Sequence, residues 1–503
     1  MASSQNAGVR TLAKDTVIYG VTNIGSKFLN WLLAPFYIRV LASSAEYGVV
    51  TNLYAWVSVL LVVLTLGLET GLFRFINSAA TTPRQVYATC LKIVAIAVGL
   101  FWVVGFSSLP WLSQWVGYPQ HPEYVGIFLA ILGMDAFMSV PFAYLRYSHQ
   151  ALKFSGYKFL FIGLNIFFNL FFLLLCPWLY KHYPNLISWC YTPGYGVGYI
   201  FISNLLATFL ELLCMWRIIS YGWHGFNKAL VPKLLKYCYP LVLLGVAGNF
   251  NKMAGQILIP HLYQDRSFAM AQLGIYGGCL KIAVVMVMFM QAFRFAYDPF
   301  VFSKMKAQDN LNAYKVAMNY FLLFTCLIFL GVMYYIGLFK HIVAPAYYEG
   351  LPVVPVVMAG EILFGVYYNL SMWYKLSDRT YFGAIFSCIG LAVTVAVILI
   401  FTPRYGFIAC AWASLVCNAV MMLLSYLFGR RYYPIPYNTG RLLAVAVTAA
   451  LFYLGGMQIE TPNLPLTLAI RTLLLLLFLL VGLRLLGNNT LQVITQILHH
   501  KRV

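Results

Sequence analysis

The stretch Lys27-Phe-Leu-Asn-Trp-Leu-Leu-Ala-Pro35 recurs in outline as Lys252-Met-Ala-Gly-Gln-Ile-Leu-Ile-Pro260, 225 positions later. Each copy starts at a lysine near the middle of a long apolar run and reaches a proline eight residues on. A charge at the centre of a bilayer costs about 2.5–3.5 kcal/mol even on the lenient insertion scale, so such residues line an aqueous path or a ligand site. The same costly residue at the same depth in both halves predicts a repeated bundle around one cationic cavity. The cargo of such a cavity is negatively charged.

Composition agrees with a bilayer setting. Of 503 residues, 62% are hydrophobic and 9% charged, where soluble domains carry about 25% charged residues. The fold class read from this is an all-α polytopic membrane protein. The formal charge of +20 comes from 33 Lys and Arg against 13 Asp and Glu. In a soluble chain that excess would point to nucleic acid. Here the basic residues sit in short loops between apolar runs, so they speak of membrane orientation, and no nucleic-acid partner is expected. The ten cysteines form no CxxC pair or Cys/His cluster and are expected to pack in the core. Residues 1–14 are read as a polar tail before an uncleaved first span.

Apolar segments long enough to cross about 30 Å of hydrocarbon fall at 12–40, 46–73, 86–109, 122–145, 157–179, 194–219, 237–261, 269–297, 313–339, 352–374, 380–402, 405–429, 440–457 and 465–486. Fourteen spans put both termini on one side. Loops on that side carry Arg74, Arg84, Arg146, Lys153, Lys158, Arg217, Lys228, Lys233, Lys236, Lys304, Lys306, Lys315, Lys375, Arg379, Arg430, Arg431 and Arg441. The opposite loops hold only Arg39, Lys181, Arg266, Lys340 and Arg404, with Glu46, Glu123, Asp265, Glu349 and Glu460. The positive-inside rule therefore predicts cytoplasmic termini. The longest outer loop runs from about Tyr180 to Pro193.

The repeat extends beyond the lysines. Glu46-Tyr-Gly-Val-Val50 returns as Gln272-Leu-Gly-Ile-Tyr276, an offset of 226, and Phe-Arg-Phe occurs at 73–75 and 293–295. Spans one and seven run in the same direction, so the repeat is parallel, with a pseudo-two-fold along the membrane normal. This predicts an N-terminal lobe of spans one to six over residues 1–228 and a C-terminal lobe of spans seven to twelve over 229–435. Spans thirteen and fourteen and a tail occupy 436–503.

Candidate site residues emerge from depth and spacing. Thr16, Gly20, Asn23, Lys27 and Asn30 form one helical stripe, and Gly245, Asn249, Lys252 and Gln256 repeat it. The bland alternative for the amides is hydrogen bonding between helices. No carboxylate stands three or four residues from either lysine, so each calls for water, a distant acid or an anionic ligand. Lys281 lies a third of the way into span eight. Arg294, near its inner end, is one turn from Asp298 and has an equal claim to be a structural pair. Lys92 and Arg471 are expected to snorkel to the interface. Among embedded acids, Glu69 before Arg74 and Glu211 before Arg217 read as structural or interfacial. Asp135 and Glu361, nearer mid-membrane, are candidates to accept a coupling proton or sodium ion, with structural pairing the larger expectation. The 37 Tyr, 38 Phe and 11 Trp are expected mainly in interfacial belts and packing. No nucleophile elbow, P-loop, metal signature or nucleotide fingerprint occurs, so neither catalysis nor a metal or cofactor is expected.

With the first span, Glu46-Tyr47-Gly48 and the repeat in view, the chain resembles the polysaccharide-export branch of the multidrug/oligosaccharidyl-lipid/polysaccharide exporter superfamily. It is similar to O-antigen or capsule repeat-unit flippases of the polysaccharide biosynthesis protein family, most clearly over about residues 10–80. The resemblance implies twelve to fourteen helices in two lobes around a positively charged central cavity. It implies movement of an undecaprenyl-diphosphate-linked oligosaccharide from the cytoplasmic to the periplasmic leaflet of a bacterial inner membrane. Polysaccharide polymerase and chain-length proteins are candidate partners. It also implies that cations on spans one, two and eight line the cavity: Lys27 on span one, Lys281 or Arg294 on span eight, and Arg74 at the end of span two as a looser match. Lysine stands at most positions where that branch favours arginine, which weakens the expectation of bidentate phosphate binding.

Two other readings stay open. A cation-coupled multidrug exporter of the same superfamily needs cavity acids, and this chain embeds more lysine than acid. A membrane glycan polymerase or ligase needs a sizeable external loop, and the outer loops are short.

Overall fold

The computed structural model describes residues 2–76, 81–304, 310–377 and 379–487. Every long described element is helical. In the first part of the chain these are α1 (Ala2–Val40), α2 (Ser44–Leu64), α3 (Leu68–Ile76), α4 (Pro83–Ser107), α5 (Leu109–Val116), α6 (Pro122–Tyr147), α7 (Ala151–Leu170), α8 (Cys176–His182), α9 (Pro184–Ile187), α10 (Gly196–Cys214), α11 (Trp216–Gly222) and α12 (Val231–Leu262). The rest comprises α13 (Arg266–Lys304), α14 (Asn310–Tyr334), α15 (Ile336–Phe339), α16 (Val353–Leu370), α17 (Met372–Leu376), α18 (Tyr381–Tyr405), α19 (Ile408–Tyr432), α20 (Thr439–Met457) and α21 (Leu464–Leu486).

Among the described residues, thirteen helical segments from Ser44–Ile76 to Leu464–Leu486 are long and apolar enough to cross a membrane. They coincide with expected spans two to fourteen. The expected first span lies in the 39-residue α1, whose apolar run is interrupted by Asn23, Lys27 and Asn30. The chain is an all-α, multi-pass membrane protein.

Two compact units are present, Met1–Gly274 and Ile275–Val503, and their boundary falls inside α13. In the first, α4 packs on α6, α7 on α10 and α1, and α12 on α2. Its core joins Leu68 and Leu72 to Tyr87, Leu91, Leu132 and Leu234. Span two is not one continuous helix. The chain breaks between α2 and α3, where Leu66 (φ 52°) and Gly67 (φ 63°) adopt left-handed backbone. A leucine there is strained, and the break marks a site the surrounding packing must hold. The Cys238 thiol, donating to the Gly67 carbonyl at 3.5 Å, is one of the contacts that hold it.

Near its start, α2 crosses the first turns of α13 glycine to glycine. A Cβ on Gly48 would run into the Met270 carbonyl oxygen, and a Cβ on Gly274 into the Ser44 carbonyl oxygen. Shifting 44 and 48 by 226 gives 270 and 274, so the two clashes exchange under the sequence repeat. Gly48→Ala and Gly274→Ala are each expected to cost about 1–3 kcal/mol by overpacking. The double variant is expected to cost less than their sum, because one separation of the helices relieves both clashes. Gly163→Ala, where a Cβ meets nothing within 4 Å, serves as the control. Thermal unfolding in detergent checks this, and a strictly additive double variant would refute a shared crossing.

In the second unit, α19 packs between α16 and α18, and α14 packs on α20 and α21. The side chain of Arg471 decides how these helices end. Its Nε donates to the Gly456 carbonyl (3.2 Å), Nη1 to Tyr334 (3.1 Å), and Nη2 to Met457 (3.5 Å) and Ile459 (3.2 Å). One guanidinium thus collects carbonyls at the C-terminal ends of α14 and α20. The expected snorkelling is corrected, because Arg471 is 7% exposed and turned inward. The expectation of ten packed cysteines also needs correction. Cys214 and Cys388 are exposed and Cys190 is half-buried.

Candidate functional site

The single polar stripe read on α1 divides in three dimensions. Thr22 Oγ1 meets Ser155 Oγ at 2.5 Å, and Asn165 Nδ2 donates to Asn30 Oδ1 at 3.4 Å. Asn165 is itself held by Asn169, whose Nδ2 donates to its carbonyl and its Oδ1. Positions 22, 26 and 30 therefore form the row that seats α1 on α7. For Asn30 the hydrogen-bonding alternative is the one realised. Lys27 lies about 100° around the helix from Ser26 and is exposed. The side chains of Thr16 and Asn23 lie outside the described residues.

On α12 the sequence explains a contact that it did not announce. Pro260 has no N–H, so the Gln256 carbonyl loses its partner four residues on. Asn52 Nδ2, from α2, donates to that oxygen at 2.8 Å. Asn52 is 1% exposed, and its Oδ1 accepts from Tyr118 Oη at 3.0 Å. Arg266 lies over the Tyr118 ring (5.1 Å) and donates to the Val116 carbonyl at the end of α5 (2.8 Å). Asn249 and the Gln256 side chain are half-buried, and Lys252 is exposed. Sequence reasoning does not find Asn52, Tyr118 or Arg266; the proline is their only signal.

The two Phe-Arg-Phe triplets share a geometry. The Arg74 guanidinium lies 4.3 Å from the Tyr237 ring centroid, and that of Arg294 lies 4.4 Å from Tyr368. Lys375 also lies 4.4 Å from the Tyr368 centroid, which gives the second unit two cations on one buried ring. By sequence Lys375 is only a loop charge. Lys281 is half-buried on α13. The side chain of Asp298, the possible partner of Arg294, lies outside the described residues.

The two acids read as structural or interfacial, Glu69 and Glu211, find cations on other helices. Glu69 pairs with Arg146 of α6, leaving Arg74 to its tyrosine. Glu211, 1% exposed, lies 3.6 Å from Lys158 Nζ, within ion-pair but beyond hydrogen-bond reach. Lys158 also sits 3.8 Å from the Phe142 centroid. Half-buried Asp135 feels the charge of Lys158, and Glu211 feels both. Tyr54, accepting from Asn204 Nδ2 at 2.7 Å, completes this interior polar cluster beside Asp135. Glu361 is half-buried on α16, next to Gly360, whose carbonyl accepts from Asn418 at 3.0 Å.

A cavity of about 500 Å³ in the second unit has a different character. Leu322, Phe329, Leu363, Leu442, Ala446 and Tyr453 are among its walls. Such a lining suits a hydrocarbon chain and offers a phosphate almost nothing.

Comparison with known proteins places this geometry. A model of the family described as polysaccharide biosynthesis protein matches residues 12–300. The lipid II flippase MurJ in an inward closed conformation superposes with a TM-score of 0.71 at 12% identity, covering 93% of this chain and 98% of that one. An inward-facing multidrug resistance MATE family transporter of the MOP superfamily gives a TM-score of 0.63 at 14% identity, covering 84% and 96%. A MATE in the straight conformation gives 0.58 at 13% identity, covering 84% and 95%. No curated protein matches the chain in sequence.

Proposed function

The chain belongs to the polysaccharide biosynthesis protein family, and from that premise we propose that it is a flippase for a polyprenyl-diphosphate-linked oligosaccharide. It carries the glycolipid from the cytoplasmic to the periplasmic leaflet of a bacterial inner membrane, by alternating access and without catalysis, for cell-surface polysaccharide assembly. The observation that carries the reading is the exposure of Lys27 on α1 and Lys252 on α12, near the middle of the expected spans one and seven. A diphosphate cannot enter hydrocarbon uncompensated, and ammonium groups held at mid-depth offset its desolvation. Lys27 and Lys252 supply that charge, with Lys281, Arg294 and Arg74 as further contacts along the route and Asn23, Asn249 and Gln256 as polar lining. The functional division is into residues 1–228, 229–435 and 436–503.

Direction is set by charge. With the cell interior negative, moving negative charge outward is favoured by about 2.3 kcal/mol per charge per 100 mV. Asp135, with Glu211 beside it, and Glu361 are the groups on which a proton or sodium ion would couple. The 500 Å³ apolar cavity is a fit for part of the prenyl tail, and this favours a lipid-linked cargo over a soluble cationic drug.

The test is transport by purified protein in vesicles, with the labelled lipid-linked repeat unit in one arm and a cationic dye in the other. Glycolipid crossing without dye extrusion is expected; dye extrusion without glycolipid crossing would replace this reading by the multidrug one. Orientation has its own check. A periplasm-active reporter fused after Lys236 or Arg431 is expected to be silent, and one after Pro184 active. The reverse pattern would overturn the cytoplasmic placement of the termini.

A further inference from the structure

The longest outer loop and the end of span five that precedes it each hold a cysteine that the transport reading leaves unused. Cys176 opens α8, directly after the π-helical turn Phe171–Leu175, and is fully buried. Cys190 is half-buried in the loop that returns to α10. A π turn inserts a residue and rotates the helix beyond it, and here it sets the face on which Phe172, Cys176 and Tyr180 line up one turn apart.

A ladder of rings folds the loop back onto that face. Phe172 stacks on Tyr199 (5.1 Å, 10°), Tyr199 stacks on Tyr191 (5.2 Å, 16°), and Tyr191 meets Tyr180 at 5.8 Å. The Thr192 amide donates to Tyr199 Oη at 2.6 Å, which pins the strand of chain beside Tyr191. Tyr191 therefore touches rings four residues on either side of Cys176 or their stacked neighbour, and Cys190 is the adjacent residue. The thiols of Cys176 and Cys190 are electrostatic neighbours, and so are Cys176 and the Tyr191 hydroxyl.

We propose that Cys176 and Cys190 are a disulfide pair that staples the external loop to the outer end of span five. This rests on the reading that places the loop in the periplasm, where disulfides form and persist. The oxidant is a disulfide-bearing thiol oxidant of that compartment. The thiolate of Cys190, the more accessible of the two, attacks one oxidant sulfur, breaking its S–S bond and releasing one oxidant thiol. The thiolate of Cys176 then attacks Cys190 Sγ, forming the intramolecular bond and expelling the second oxidant thiol. Two electrons pass to the oxidant, and the two protons lost by the cysteines end on its two sulfurs. The product fixes the turn that carries Tyr183 and Trp189, both exposed aromatics at the outer rim.

The sequence makes the link readable. Cleavage after Lys158, Lys181 and Arg217 puts Cys176 and Cys190 in separate peptides, the second of which also contains Cys214. Membranes are treated with N-ethylmaleimide before lysis, and the full-length protein is digested without reductant. The two peptides are expected to run as one species that separates on reduction. The link is expected to vanish in Cys176→Ser and in Cys190→Ser and to persist in Cys214→Ser. Uptake of maleimide by both cysteines of the wild type before reduction would overturn the proposal. Adding oxidised glutathione to the purified protein then tells why. A link formed only at that stage means the loop is not in an oxidising compartment; none even then means the thiols are not neighbours.

Discussion

Replacing Lys27 and Lys252 together by alanine is expected to abolish translocation of a polyprenyl-diphosphate glycan while leaving the protein abundant and folded. Both side chains are exposed and neither is part of the Thr22–Ser155, Asn30–Asn165 or Asn52–Gln256 contacts, so the expected loss is chiefly one of charge. A hydrogen bond to a charged group is worth about 1.5–3 kcal/mol, so each single alanine variant is expected to slow transport roughly ten- to a hundredfold. Arginine at either position keeps the charge but changes reach and geometry and is expected to retain part of the rate. Asp135→Asn and Glu361→Gln separate the rival mechanism, because a cation-coupled exporter loses its ion dependence there rather than at the lysines. The measurement is the appearance of labelled glycolipid in the opposite leaflet of reconstituted vesicles. Wild-type rates in the double alanine variant would end the cationic-site mechanism.

The largest stability effect is expected at Arg471. Alanine there removes one buried guanidinium and takes its donors from the carbonyls of Tyr334, Met457 and Ile459, while Gly456 keeps a backbone donor in Ile459. Unpaired buried polar groups are expensive, and a total loss of about 3–5 kcal/mol is expected once shared relaxation is allowed for. Arg471→Lys is expected to recover only part, since one ammonium lacks the planar fork that reaches the ends of two helices. The readout is thermal unfolding of detergent-solubilised protein, with retention of the monodisperse peak after heating. An Arg471→Ala protein that melts with the wild type would show that water replaces the guanidinium at no cost.

The spans are legible because hydrocarbon thickness sets a length that the sequence must meet, and boundaries such as 122–145 against Pro122–Tyr147 fall close. Partners are not legible. Glu69 stands five residues before Arg74, yet pairs with Arg146 across the bundle. Glu211 precedes Arg217, yet lies beside Lys158. Local spacing sees one helix, while a buried charge chooses among all the helices around it. Arg471 escapes for the same reason, because depth alone does not say which way a long side chain turns. The break in span two is hidden because Leu66, a good helix former, takes left-handed backbone there (φ 52°). The mid-span lysines are visible in the sequence as costly residues. Asn52 shows the intermediate case, where Pro260 tells of a carbonyl in need but not of the residue that answers it.

The glycine crossing of α2 and α13 bears on ancestry. Gly48 meets the turn around Gly274 as Gly274 meets the turn around Gly48, so each surface is complementary to its own copy. A gene half as long, encoding the repeat once, would already make a protein able to pair with its twin at this crossing, both inserted the same way in the membrane. Tandem duplication then joins two subunits that fitted beforehand. After fusion the two copies are free to diverge in charge and cargo, but a bulky mutation at one glycine cannot be compensated by its counterpart.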